Sequence, residues 1–435
     1  MATKRQKKKA IKTAKKVAKK SPILFIVLAL LVVGLVVAGF ILYKNGYFDK
    51  WFSKNDNQNN KEIVYAEDGY NENIIYDDFQ IHFMELGNDK AGDSIYIKAG
   101  DNDILIDAGS RRESASTLRN YINKYCTDGK LEYVIATHAH EDHIAALCGV
   151  DSSKSGIFYN YKIDTLIDFA LTDVTSNLYE VSYVNALTYL NEKGTVHHKV
   201  DYYFDSEKNP TSDATIKLAD NITMNIIYNR YYFEKSSKEN NYSVCTMFNY
   251  NDKHYLFTGD LEKSGEESIA SYYDGSTPEK TLPKVELFKA GHHGSETSSN
   301  ECLLEIIKPK MCVACCCAGN TEYSVINDNI FPTQAFINRI AKYTSRVYIT
   351  TLFDQTTGNY TSMNGNIIVS SDGLNVGLNA SNNLIRLKDT EWFNEKVYLL
   401  DGKIAKGNKG SKDFYIASDS GVVEKPRRVW PSSVS

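Results

Sequence analysis

The 435-residue chain predicts a layered α/β domain over residues 76–378, carried behind one N-terminal transmembrane helix. Three observations carry this prediction. Short apolar β runs alternate with helical patterns across that span without an internal repeat, as strands and helices packed in layers require. The uncharged run from Pro22 to Tyr43 has the length, roughly 20 apolar residues, that a helix needs to cross a bilayer core. The composition, 42% hydrophobic and 24% charged, excludes a wholly disordered or fibrous chain.

Residues 1–21 form a basic arm, with ten Lys and Arg between Lys4 and Lys20 and no acid. The apolar run 22–43 follows directly. A cleaved signal peptide has an apolar stretch of about 7–15 residues ending at small residues. This run is longer and no such site follows, so an uncleaved signal anchor is expected. Positive charge on its N-terminal flank keeps that end cytoplasmic and places the body outside the cell membrane, and the arm suits anionic lipids. Residues 44–75 read as interfacial segment and linker. Tyr43, Tyr47, Phe48, Trp51 and Phe52 suit the outer interface, and Lys54 to Lys61 has no apolar residue. Without the arm, residues 21–435 carry 40 basic and 54 acidic side chains, a formal −14. That balance disfavours nucleic acid as a partner, because such affinity comes mainly from neutralising phosphates.

Within the body, Ser94–Ile97 and Asp103–Ile106 read as adjacent strands broken at Gly100. Ser114 to Cys126 places Leu118, Tyr121, Ile122 and Tyr125 on one helical face. Strands are expected at 132–136, 222–228, 244–250, 254–258, 285–289, 311–317, 346–351 and 366–370. Helices are expected near 179–192, 300–307 and 332–341. Five of the eight cysteines, Cys302, Cys312, Cys315, Cys316 and Cys317, cluster in one apolar region and read as small buried strand residues rather than zinc ligands. Residues 379–435 form a C-terminal extension, with Lys388–Phe393 and Arg427–Pro431 as segments able to dock aromatics on the main domain.

Histidine is scarce, nine in the chain, yet five fall in two tight groups. Thr137-His138-Ala139-His140-Glu141-Asp142-His143 follows the apolar run Tyr133–Ala136. Imidazoles and a carboxylate are ligands of borderline divalent metals. His138 and His140, two apart in extended chain, can face one ion; Asp142 and His143, beyond the turn, can serve a second. The other group, Gly291-His292-His293-Gly294-Ser295, follows the run Val285–Phe288. Between them, Tyr255–Thr258 leads into Gly259-Asp260, and Ile104–Ile106 leads into Asp107, placed to orient a ligand or water from behind. Several strands each delivering a metal-type side chain at the same end is the informative pattern.

His-x-His-x-Asp-His, a later Gly-Asp and a later His resemble the metallo-β-lactamase superfamily. Gly-His-His-Gly-Ser is similar to its branch of competence-type (DNA-uptake) hydrolase domains and teichoic-acid phosphorylcholine esterases. Ile81–Gly87 with Gly92-Asp93-Ser94, Asn240-Asn241-Tyr242-Ser243-Val244, Lys308-Pro309-Lys310 and Ala318-Gly319-Asn320 resemble further elements of that branch. The resemblance implies a four-layer αββα sandwich and two divalent metal ions, Zn²⁺. His138 and His140 would bind one ion, Asp142 and His143 the other, with Asp260 bridging and one of His292 and His293 completing the second site. Asn241 and Ser243, with Asp107, would support these ligands from behind. The chain departs from the pattern twice. The middle histidine of many members has no counterpart, since His197, His198 and His254 read as ordinary surface residues. Ile330-Phe331-Pro332 also stands where competence-type domains carry His-Pro-His-Pro.

Two divalent ions roughly 3.5–4 Å apart hold a hydroxide, because they lower the pKa of bound water to about 7. Asp142 and whichever of His292 and His293 is free of metal are the candidate catalytic groups. The expected activity is hydrolysis of a phosphodiester or other ester, phosphorylcholine-type by the charge of the body. The alternatives are a DNA-uptake nuclease and a non-catalytic surface protein retaining the fold.

Overall fold

The computed structural model describes residues 70–209, 213–323, 330–354 and 356–394, together with the paired segments 399–400 and 403–404. The basic arm, the apolar run 22–43 and the linker up to residue 69 lie outside the described residues, as do residues 405–435 with the expected Arg427–Pro431 segment. Among the described residues no helix is long and apolar enough to cross a membrane.

Two sheets face each other. The strands are β1 (Tyr70–Glu72), β2 (Phe79–Phe83), β3 (Ile95–Ala99), β4 (Asn102–Ile106), β5 (Lys130–Ala136), β6 (Lys162–Asp168), β7 (Val196–Lys199), β8 (Thr215–Ala219) and β9 (Ile222–Ile227). They continue as β10 (Cys245–Tyr250), β11 (Lys253–Phe257), β12 (Leu287–Lys289), β13 (Met311–Ala318), β14 (Val347–Asp354), β15 (Asn359–Ser362), β16 (Ile367–Ser371) and β17 (Val376–Ala380). The first sheet has the order β1-β17-β16-β2-β3-β4-β5-β6-β7, the second β15-β14-β13-β12-β11-β10-β9-β8. Strands β4 to β7 run parallel, as do β11 to β14. Their carboxyl ends therefore share one rim of each sheet, where open α/β sheets bind ligands.

Aromatic contacts weld the sheets together: Phe79 lies 6.2 Å from Phe248 and 5.0 Å from Tyr255, and Phe83 lies 6.3 Å from Phe257, between ring centroids. Strand β13 shows why its sequence is apolar throughout. Met311, Val313 and Cys315 enter the core between the sheets, while Cys312, Ala314 and Cys316 face the outer layer, so both faces are dry. That outer layer is built by α4 (Lys263–Tyr272), α5 (Glu301–Ile307) and α6 (Gln334–Ile340), following α1 (Ser114–Ile122), α2 (Glu141–Cys148) and α3 (Val184–Glu192), whose apolar residues join the core of the first sheet. The result is a mixed α/β layering, two facing sheets with helices packed outside them.

Several details differ from expectation. Tyr70–Glu72, inside the segment expected as linker, pairs with β17, and Tyr70 donates its hydroxyl to Glu286. Val196–Lys199, where no strand was expected, is the edge strand β7; its residues are mostly exposed, so it has no apolar run to betray it. The helix expected near 179–192 starts with a π-helical turn, Leu178–Tyr183, whose Tyr179 and Tyr183 both pack on Phe169. All eight cysteines are free; Cys302 is half-buried on α5 rather than in a strand, and the other seven are buried. Beyond residue 378, Leu387 and Phe393 are buried in the outer layer and Trp392 packs beside it.

Candidate metal centre

Each loop at the shared rim delivers one or more polar side chains. Residues 137–140 leave β5, and α2 begins at Glu141, so Asp142 and His143 occupy its first turn. The close approach of this turn is set by Gly109, where a Cβ would lie 1.6 Å from the Asp142 carbonyl oxygen. Asp260 follows β11, and His292 and His293 follow β12 in left-handed conformations with φ of 45° and 54°.

The sequence-predicted residues converge. His143 Nε2 stands 3.1 Å and His293 Nε2 3.3 Å from Asp260 Oδ2, and His293 Nε2 lies 3.4 Å from Asp142 Oδ2. One ligand atom from each of these four buried residues lies within 4.8 Å of the others. Both Nε2 atoms are buried and, among the described residues, have no hydrogen-bond partner. Buried ring nitrogens without partners, aimed at shared carboxylates, are what a cation would satisfy, and nitrogen and oxygen donors suit a borderline divalent metal. The residues present therefore fit the group that the motifs imply. His293, rather than His292, joins Asp142 and His143, with Asp260 in common.

His138 and His140 sit beside this group. His138 Nε2 is 3.0 Å from His140 Nδ1, and the His138 ring centroid is 4.2 Å from that of His143. Burial, then the neighbouring imidazoles of His143 and His140, push the His138 pKa well below the ordinary value, so it is a neutral ligand type. Burial would also depress His143 and His293. The facing carboxylates, Asp260 first, reverse this and hold both well above the ordinary value in the metal-free chain. The histidines that do not match the middle ligand stay apart: His197 pairs with Asp168 at 2.9 Å, His198 stacks on Tyr202, and His254 meets Asn249 Oδ1 at 2.7 Å.

Supporting contacts define which imidazole nitrogen carries the proton. Asp107 Oδ2 lies 2.7 Å from His143 Nδ1, and its two oxygens also accept Thr137 N and Oγ1. His293 Nδ1 is 3.0 Å from the Cys315 carbonyl oxygen and 3.2 Å from Asp93 Oδ1. Each Nδ1 thus faces an acceptor, so in the neutral imidazole that a cation requires the Nε2 lone pair points toward the centre. Ser243 Oγ accepts the Asp260 backbone N–H at 3.2 Å. Asn241 instead braces Ser236, Ser264 and the Glu262 backbone, touching no ligand; its neighbour Asn240 reaches His292 Nδ1 at 3.4 Å.

Three contributors have no role assigned from the sequence. Asp93 precedes a strand rather than following one, but β3 is antiparallel to β4, so its start lies at the same rim. Lys289 ends a fully buried strand and bonds Asp93, a signal readable in hindsight because a lysine in such a run must meet an anion. Tyr323 donates its hydroxyl to Asp142 Oδ2 at 2.7 Å and lies against Phe331, which also flanks His292 and His293.

The chain resembles known proteins. It is 30% identical over 122 residues to Recombination protein 2 of Haemophilus influenzae, covering 28% of this chain and 14% of that protein. It is 36% identical over 85 residues to Competence protein ComA of Neisseria gonorrhoeae, covering 20% of this chain and 10% of that one. The chain thus spans only a small part of these relatives' length. Among solved structures, the metallo-β-lactamase fold protein YhfI from Bacillus subtilis aligns at 13% identity and a TM-score of 0.35, covering 62% of this chain and 95% of that one. A putative metal-dependent hydrolase from Parabacteroides distasonis aligns at 14% identity and a TM-score of 0.28, covering 62% and 80%. The competence-type likeness drawn from the motifs agrees with the two curated relatives. A family model described as Anti-Pycsar protein Apyc1 matches residues 88–315, more than half the chain and the whole of the histidine–aspartate cluster, and the chain belongs to that family.

Proposed function

We propose that the chain is a membrane-anchored, extracytoplasmic, metal-dependent phosphodiesterase. One observation carries the proposal: unpartnered His143 Nε2 and His293 Nε2 converge on Asp260 Oδ2 beside Asp142. Asp142, His143, His293 and Asp260 would hold one divalent ion, and His138 and His140, with Asp260 in common, a second; Zn²⁺ suits the donors. When bound, such ions supply Lewis-acid polarisation of a phosphoryl oxygen and an activated water.

His292 is the chain's own group for the substrate. Burial, outweighing the pull of Asp260, lowers its pKa to about 4, so it enters as neutral imidazole. Asn240 Nδ2, itself bonded to Glu262, and Thr297 Oγ1 lie 3.4 and 3.0 Å from His292 Nδ1. With Nδ1 accepting, Nε2 carries the proton and can donate a hydrogen bond to a non-bridging oxygen on the Asp260 side. The formal −14 of residues 21–435 favours an envelope phosphodiester with a cationic head group, phosphorylcholine-type, over DNA. The relatives named for recombination and competence favour a second reading, a surface nuclease. Residues 22–43 would anchor the chain with residues 1–21 in the cytoplasm, where anionic lipids would meet them.

The test compares release of p-nitrophenol from its phosphorylcholine ester with cutting of single-stranded DNA, by detergent-purified full-length protein with and without Zn²⁺. The proposal predicts metal-dependent ester cleavage that His138→Ala and Asp260→Ala abolish. DNA cutting alone would select the nuclease, and equal turnover by both variants would refute a hydrolytic metal centre. Protease digestion of intact cells checks the orientation, with residues 76–378 expected to be accessible.

A further inference from the structure

Lys289 lies between the two sheets at the end of β12, with no solvent exposure. An ammonium group there needs an acceptor for each of its three donors. It finds three: Asp93 Oδ2, from the loop before β3 in one sheet, and, after β11 in the other, the Gly259 carbonyl oxygen at 3.0 Å and Asp260 Oδ1 at 3.4 Å. Lys289 thereby ties the sheets together at the rim where the candidate ligands meet.

Both carboxylates are divided in the same way. Asp260 gives Oδ1 to Lys289 and turns Oδ2 to the Nε2 atoms of His143, His293 and His292, at 3.1, 3.3 and 3.7 Å. Asp93 gives Oδ2 to Lys289 and sets Oδ1 3.2 Å from His293 Nδ1. A carboxylate whose second oxygen is drawn to a buried ammonium group is oriented away from chelating one ion through both oxygens. Oxygen-rich, bidentate sets suit harder or larger cations, whereas few-ligand sets with imidazole suit zinc.

We propose that Lys289 is a positioning residue that restricts Asp260 to a single ligating oxygen and so sets the site's preference for zinc-like over manganese-like cations. This rests on the reading of the cluster as a metal centre.

The test uses full-length protein in detergent and measures Zn²⁺ and Mn²⁺ affinities by competition with a chromogenic chelator. The visible spectrum of the Co²⁺-loaded protein is recorded alongside. Lys289→Met leaves Asp93 an unpaired buried carboxylate, so Lys289→Met/Asp93→Asn, which removes one charge of each sign, is measured in parallel. In the folded variant, Zn²⁺ affinity should fall roughly 10- to 100-fold, the range for lost support behind a ligand. Mn²⁺ affinity should hold or rise, and the Co²⁺ bands should weaken as the coordination number increases. A folded double variant with the parent's Zn²⁺/Mn²⁺ preference and Co²⁺ spectrum overturns the assignment, as does failure of both variants to fold, which would make Lys289 a purely structural cation. A parent protein that binds no metal would instead refute the metal centre itself.

Discussion

Replacing Asp107 by Asn probes how the chain prepares an imidazole for a metal. Asp107 is fully buried, with Oδ1 accepting the Thr137 N–H at 2.7 Å and Oδ2 lying 2.7 Å from both Thr137 Oγ1 and His143 Nδ1. An asparagine can keep its carbonyl oxygen on the Thr137 N–H, but its NH₂ then faces His143 Nδ1. The Thr137 hydroxyl can turn to accept. The imidazole can accept only by moving its proton to Nε2, the atom aimed at Asp260. The substitution therefore trades the metal-binding tautomer for a hydrogen bond. Asp107 has φ 57°, a region that asparagine tolerates, so backbone strain does not confound the result. The expected loss is roughly 10- to 100-fold in Zn²⁺ affinity, or about 1.4–2.7 kcal/mol. Chelator competition on the full-length protein, with near-ultraviolet circular dichroism as the control for folding, reads it directly. A folded Asp107→Asn protein with the parent's zinc affinity would refute the tautomer argument.

Other predictions concern the fold around the centre. His82 is buried between Tyr121 and Gln80, and burial lowers its pKa to about 3. Because the unfolded chain takes up this proton near pH 6.5 and the folded chain does not, His82 makes stability fall as pH drops from about 6.5 towards 3, by up to about 1.4 kcal/mol per pH unit. Denaturant titrations across that range should show a shallower slope for His82→Leu, and parallel slopes would contradict the assignment. Phe288→Ala, at a fully buried site in the outer-layer core, should cost about 3–5 kcal/mol in urea unfolding. Tyr70→Phe removes hydroxyl donation to Glu286 and should cost about 0.5–1.5 kcal/mol; no loss would mean that β1 is held by its strand pairing alone.

The candidate centre was legible because its chemistry is local in sequence. His138, His140, Asp142 and His143 fall within one turn, and Asp260 and the His292–His293 pair each follow an apolar strand. The choice between His292 and His293 was not legible. Adjacent residues in left-handed backbone point in directions that no periodicity encodes, and only the carbonyl of Cys315 and the carboxylate of Asp93 single out His293. That Asn240 rather than Asn241 reaches His292 was not legible for a similar reason, since both lie in one short 3₁₀ turn. Ile222–Ile227 and Met311–Ala318 were readable to within a residue or two, whereas Lys162–Asp168 and Val376–Ala380, though each buries an apolar face, were not expected. Edge strands such as Val196–Lys199 and Asn359–Ser362 were not readable either, because a strand with little to bury carries no alternation.

The central claim is that buried side chains from both sheets cage divalent cations at one rim of the sandwich. Elemental analysis of the full-length protein, purified in detergent and dialysed against zinc-buffered solution, tests it most directly. The account predicts two zinc ions per chain (the ion at Asp142, His143 and His293 lost first in His293→Ala). A folded parent chain with no stoichiometric metal, or a His293→Ala chain that keeps the parent's full complement, would contradict it.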